Sequence, residues 1–198
     1  MPCKAHCASC MPEQERQRLF FALWPDKTTR GRIAAVAAEL RDHSPSGRWI
    51  PAARYHLTLQ FLGTYPGYPA ALAEAACAAA ARVRSPETAI TLDRIDSFPR
   101  RPRLWWLGSR HPEPLLPLWE SLTGELLAQG VEVDTTPLVP HVTLVRGAGR
   151  APPPDAAVRP VVWRAAHFAL IHGESGDGTT YDVLRQWPLE SFAGSRPG

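Results

Sequence analysis

At 198 residues the chain is long enough for one large domain or two small lobes, and its 44% hydrophobic content is that of a globular protein with a buried core. The formal charge is only +3, yet 20 of the 22 basic residues are Arg. That side chain grips phosphate bidentately where Lys acts as a point charge, although coding bias explains the excess equally well. No apolar run reaches the roughly 18 residues that span a bilayer, and the first residues are too polar for a secretory signal core. A cytoplasmic protein with no membrane partner is therefore expected. Cys3, Cys7 and Cys10 crowd the N-terminus and Cys77 stands alone, which is no disulfide framework.

Residues 1–15 lack periodicity and contain Pro2 and Pro12, so they read as a mobile tail ahead of one domain spanning 16–198. Residues 19–24 form a short apolar run ended by Pro25, as expected of a strand buried on both faces. Asp26 or Thr28 then caps a helix whose apolar positions Ile33, Val36, Ala37 and Leu40 recur every three or four residues. After Trp49-Ile50-Pro51, residues 55–62 alternate until Gly63, so Tyr55, Leu57, Leu59 and Phe61 are expected in the core. A helix over 69–84 follows, then strands at 89–95 and 104–108, a helix over 114–129 and a strand around Val131. Pro140 introduces a strand over 141–145, and two further strands are expected at 165–171 and 180–184, parted by the turn-like residues 173–178. The order is strand, helix and histidine-bearing strand, then further strands, a helix and a second histidine-bearing strand. That order predicts two similar α+β lobes.

The two histidine-bearing strands carry the same tetrad, His56-Leu57-Thr58-Leu59 and His141-Val142-Thr143-Leu144. Chance supplies roughly 0.1 such tetrads in a chain of this composition, so a pair is a strong signal. Residues i and i+2 of a strand share a face, which places His56 with Thr58 and His141 with Thr143. Either copy alone reads as a polar face of an amphipathic strand. Two imidazoles on two lobes suit in-line displacement at phosphorus, where the attacking and departing oxygens lie on opposite sides. One imidazole must then be neutral and the other protonated, and the threonine hydroxyls are placed to donate to non-bridging phosphate oxygens. Spacing does not settle which histidine is acid and which is base.

The tetrads stand within a chain-long pattern: Arg18-Leu19-Phe20-Phe21-Ala22-Leu23-Trp24-Pro25, Trp49-Ile50-Pro51, Gln60-Phe61-Leu62-Gly63 after the first tetrad, Leu104-Trp105-Trp106-Leu107-Gly108, Val145-Arg146 after the second, and Tyr181-Asp182-Val183-Leu184. Over about 18–190 the sequence resembles the 2H phosphoesterase superfamily, and within it the RNA 2′,3′-cyclic phosphodiesterases once called 2′-5′ RNA ligases. The resemblance implies an α+β bilobal fold, with pseudo-symmetric antiparallel lobes, helices outside and a central cleft. It implies hydrolysis of RNA 2′,3′-cyclic phosphate ends to 2′-phosphomonoesters, without metal or cofactor. His56 corresponds to the proton donor, His141 to the proton acceptor, and Thr58, Thr143 and Arg146 to phosphate-binding residues. Strict alternation turns Arg146 away from His141, so a bulge or strand end is expected between them. The implied partners are RNAs with cyclic phosphate ends, tRNA fragments or short oligonucleotides, and the chain is expected to act as a monomer. Reverse 2′-5′ ligation is the same chemistry with a ribose hydroxyl in place of water. A non-catalytic RNA-end-binding protein is the alternative.

Weaker signals lead elsewhere. Cys3-x3-Cys7-x2-Cys10 has the spacing of an iron–sulfur motif, but its Pro-flanked setting with no preceding strand contradicts one. Asp134, His167 and His172 show no helical i, i+4 spacing that would make them a metal set. Arg100, Arg101 and Arg103, beside Trp105 and Trp106, are either a basic and aromatic rim for an RNA strand or a solvated loop.

Overall fold

The computed structural model describes residues 16–44, 46–153, 158–175 and 181–191. The expected tail, with Cys3, Cys7 and Cys10, lies outside the described residues. In chain order the elements are β1 (Arg16–Leu23), α1 (Lys27–Glu39), β2 (Arg48–Trp49), β3 (Leu57–Tyr65), α2 (Ala70–Ala80), β4 (Thr88–Leu92) and β5 (Arg94–Phe98). There follow β6 (Arg101–Gly108), α3 (Leu116–Ala128), β7 (His141–Arg146), β8 (Val161–Ala165), β9 (His167–Ser175) and β10 (Tyr181–Pro188). Strands pair in the order β10-β9-β1-β3-β7-β6-β5, with β2 also on β7, while β4 and β8 form a separate two-stranded sheet. Every pair among the named strands is antiparallel in the described residues, so the expected α+β class holds. Among the described residues no helix is long and apolar enough to cross a membrane.

The seam of the sheet is β3 against β7, where Leu57 opposite Val142 is the one registered pair. On one side of it lie β1, β9 and β10, and on the other β6, β5 and β2. Beneath the seam runs a single core: Leu19, Phe21, Leu23 and Leu57 from one half pack with Leu107, Val142 and Leu144 from the other and with residues of all three helices. Phe20, Ala22, Ala169 and Ile171 cluster on the opposite face of β1 and β9. Hence β1 is apolar on both faces, as its uninterrupted run requires.

Local chemistry explains the boundaries. The Asp26 carboxylate accepts from the Thr29 backbone N–H at 2.6 Å and caps α1. α3 is closed off by Gly130, in the left-handed region at φ 72°, with Gly130 N–H donating to the Leu127 carbonyl at 2.9 Å and Val131 N–H to the Leu126 carbonyl at 3.0 Å. Those two bonds make a Schellman cap, whose apolar following residue is the buried Val131. The strand expected around Val131 is therefore absent: its apolar side chain seals a helix end. The single strand expected at 89–95 is two, because Asp93 passes the chain from the small sheet to the large one. Its N–H donates to Gly108 at 2.8 Å while its carboxylate accepts from Arg110 N–H at 3.0 Å.

Alternation along β3 is broken by a bulge. Ala22 pairs with Thr58, Phe21 with Gln60 and Phe20 with Phe61, leaving Leu59 as the extra residue. Leu59 and Gln60 both turn to the helix side, each 3% exposed, and Phe61 turns out, 50% exposed. The expectation that Phe61 lies in the core is thus corrected. Gln60 takes the buried place, donating to Thr123 Oγ1 on α3 at 2.7 Å and to the Asp134 carbonyl at 3.1 Å. Tyr55, Leu57 and Leu59 are buried as expected.

Candidate active site

The seam register builds the site. Leu57 and Val142 are directly opposite and both point into the core, so their neighbours His56, Thr58, His141 and Thr143 all lie on the other face. Antiparallel geometry brings Thr58 beside His141 and Thr143 beside His56. Both imidazoles are half-buried, as are both threonines. Neither threonine hydroxyl has a protein hydrogen-bond partner among the described residues.

Each histidine is anchored in the same way. Nδ1 of His56 lies 2.8 Å from the Arg54 carbonyl, and Nδ1 of His141 lies 2.8 Å from the Val139 carbonyl. A carbonyl only accepts, so each Nδ1 carries the hydrogen and each Nε2 is left for chemistry. Aromatic rings hold the imidazoles on their flanks. Trp24 stacks on His56 at 5.9 Å and 10°, with Phe20 at 5.0 Å and Tyr181 at 5.2 Å. Phe98 and Trp106 pack on His141 at 5.1 and 5.8 Å. Gly108 pairs with His141, and a Cβ there would strike the Trp106 ring and come within 2.8 Å of the Pro140 carbonyl. Only glycine lets that strand approach so closely.

The electrostatics follow from burial. Desolvation pushes the His56 pKa down to about 4, against the Arg54 hydrogen bond, and the charges of His141, Arg146 and Arg54 depress it further. Desolvation also lowers His141, with Arg146 adding to the effect and the Val139 hydrogen bond opposing it. Arg146 therefore acts on both imidazoles.

Its position comes from a second bulge that mirrors the first. Thr143 pairs with Trp106 and Val145 with Trp105, leaving Leu144 extra. Leu144 and Val145 are both fully buried and Arg146 is exposed. Three residues beyond each threonine the chain thus returns to the site face, with Phe61 in one half and Arg146 in the other. The sequence pattern calls for a bulge before Arg146 and misses its twin before Phe61.

Of the remaining sequence candidates, Asp134 and His172 have partners of their own. Asp134 accepts from the Thr136 N–H at 2.8 Å within its own turn, and His172 bonds Gln17. Arg101 and Arg103 belong to β6 instead of a loop. The aromatic flank of each histidine carries no sequence signature that alternation detects, although Phe20, Trp24, Trp106 and Tyr181 fall within the runs that make up the chain-long resemblance.

Residues 23–106 match the model of the LigT like Phosphoesterase family. The RNA 2′,3′-cyclic phosphodiesterase of Escherichia coli is 35% identical over 88% of this chain and 98% of its own length. A Geobacillus stearothermophilus protein of the same name is 27% identical over 93% of this chain and 61% of its own length. Among solved structures, Escherichia coli LigT in apo form superposes with a TM-score of 0.71 at 31% identity, covering 89% of this chain and 99% of that one. Its complex with 3′-AMP superposes at 0.69 and 30%, covering 88% and 98%. With 35% identity to a relative covered over 98% of its length, and with both tetrads on one face of the sheet, the chain belongs to the LigT-like phosphoesterase family.

Proposed function

We propose that the protein hydrolyses RNA 2′,3′-cyclic phosphate ends to 2′-phosphomonoesters by acid/base catalysis between His56 and His141. The carrying observation is the matched pair of imidazoles on adjoining strands, each with Nδ1 tied to a carbonyl and each with a free threonine hydroxyl beside it. The relatives named for this activity support the substrate class.

In the proposed reaction the cyclic phosphate sits over Thr58 and Thr143, whose hydroxyls donate to its non-bridging oxygens, with the Arg146 guanidinium offsetting its charge. His141 Nε2 takes a proton from water as the water oxygen forms its bond to phosphorus. The bond to the 3′ oxygen breaks in line on the far side, and His56 Nε2 gives that oxygen its proton. The assignment of donor and acceptor follows the family resemblance. Burial leaves His56 neutral in the free protein, so it must gain its proton with the substrate. An anionic phosphate favours the imidazolium and raises both pKa values when it docks. The acid, the base and the cationic groups are all side chains, so the proposed reaction needs no metal. Attack by a ribose 5′-hydroxyl in place of water, with the same departure of the 3′ oxygen from phosphorus, gives 2′-5′ ligation in the same site.

Product analysis with a cyclic-phosphate-ended oligoribonucleotide in EDTA tests this reading. A 2′-phosphate product is expected. A 3′-phosphate product, or stoichiometric binding with unchanged substrate, overturns it.

A further inference from the structure

Arg48 and Arg146 stand directly opposite one another on β2 and β7. Opposed like charges destabilise an antiparallel pair, so this register is costly unless an anion joins it. Arg101 pairs with Phe98, whose ring lies 5.1 Å from His141, which puts Arg101 on the rim of the same half. From the other half comes Arg18, two residues before Phe20 on β1 and so on the same face. It pairs with Gly173, whose other partner is Tyr181, the ring 5.2 Å from His56. Arg18, Arg48 and Arg101 all lie close enough to Arg146 for their charges to lower its pKa, adding to partial desolvation and opposed by Tyr181.

Among the described residues the ion pairs are Arg82–Glu125, Arg94–Asp96, His111–Glu113 and Arg159–Glu39. None of the four clustered arginines has a carboxylate partner there. One cyclic phosphodiester carries one negative charge, which Arg146 and two hydroxyls already meet. The surplus cations call for another anion close by, and the substrate chain supplies one: the phosphodiester that links its last nucleoside to the one before.

We propose that Arg18, Arg48 and Arg101 form a second phosphate subsite that takes the internucleotide phosphodiester on the 5′ side of the cyclic end. The protein accordingly prefers oligonucleotides to cyclic mononucleotides. This rests on the reading that the cyclic phosphate reacts between the histidines. Arginine suits the subsite because its planar fork grips a phosphodiester through two parallel hydrogen bonds.

The test compares kcat/KM for a cyclic-phosphate-ended dinucleotide with that for the matching cyclic mononucleotide, in the wild type and in R48A/R101A. Both residues are exposed, and a thermal melt verifies that the variant is folded. The wild type is expected to favour the dinucleotide by about 10-fold or more, the worth of one charge-assisted hydrogen bond. The double variant should lose most of that ratio, with the fall concentrated in the dinucleotide. The salt slope of dinucleotide binding should become shallower by roughly 0.7 for each arginine removed that contacts a phosphate. A wild type without preference, or a variant that keeps it, overturns the subsite. If the wild type turns over neither substrate, the proposed reaction is what fails. Calorimetric binding of a 2′-phosphate-ended dinucleotide against the 2′-mononucleotide then decides the subsite by the same ratio.

Discussion

Between pH 6.5 and pH 4 His56 should weaken the folded state. Burial holds its pKa at about 4 against 6.5 for a free imidazole. At about 1.4 kcal/mol per pH unit, that gap is worth about 3 kcal/mol. Above pH 6.5 the imidazole is neutral in both folded and unfolded chains and contributes no pH dependence. As pH falls below 6.5 the unfolded chain binds a proton that the folded chain refuses, so stability drops until the folded pKa is reached. His141 is lowered by the same cause and acts in the same direction. Urea unfolding of wild type and H56Q at pH 7 and pH 4.5 isolates the His56 contribution, because all other titrating groups are common to both. The wild type should lose about 2 to 3 kcal/mol more than H56Q over that interval. Equal losses in the two proteins would refute the buried, neutral His56. The same reasoning predicts that the bell-shaped profile of kcat/KM has its optimum below pH 6.5. That of kcat is displaced upward, because bound phosphate favours both imidazolium forms.

Other expectations follow from single contacts. Q60A removes the donor that the Thr123 hydroxyl and Asp134 carbonyl share, and should cost about 1 to 3 kcal/mol in chemical denaturation. It also frees the segment that leads to His141, so kcat should fall as well. G108A drives a methyl into Trp106 and the Pro140 carbonyl, and activity should drop more than its change in melting temperature explains. F61A removes a half-exposed ring from the site face. Its melting temperature should stay within a degree or two of wild type, while KM for the cyclic nucleotide rises. D26A removes the α1 cap, at a cost of about 1 kcal/mol and with no change in kcat.

Periodicity reads where every residue obeys its element's repeat. It finds β1, because alternating core clusters on both faces demand an uninterrupted apolar run. It finds α1 through Ile33, Val36, Ala37 and Leu40, and both histidine strands through Leu57 and Val142. It fails where one extra residue changes the face. The bulge at Leu59 exchanges the fates of Gln60 and Phe61, and neither residue type announces it. The partner strand decides, since Phe21 and Phe20 fix which β3 residues they meet. Val131 misleads in the same way, because an apolar residue after Gly reads as a strand start and here closes a helix. The imidazoles and hydroxyls of the site are legible in the tetrads. The aromatic rings that hold them come from segments distant in sequence, and only the folded sheet brings Trp24, Tyr181, Phe98 and Trp106 to the histidines.

The account stands on two histidines acting on opposite sides of one phosphorus. Hydrolysis of a cyclic-phosphate-ended oligoribonucleotide by H56A and by H141A tests it most directly. Each substitution should lower kcat by about 10² to 10⁴, the worth of one positioned proton-transfer group, with the fold intact. Wild-type turnover in either variant would contradict it.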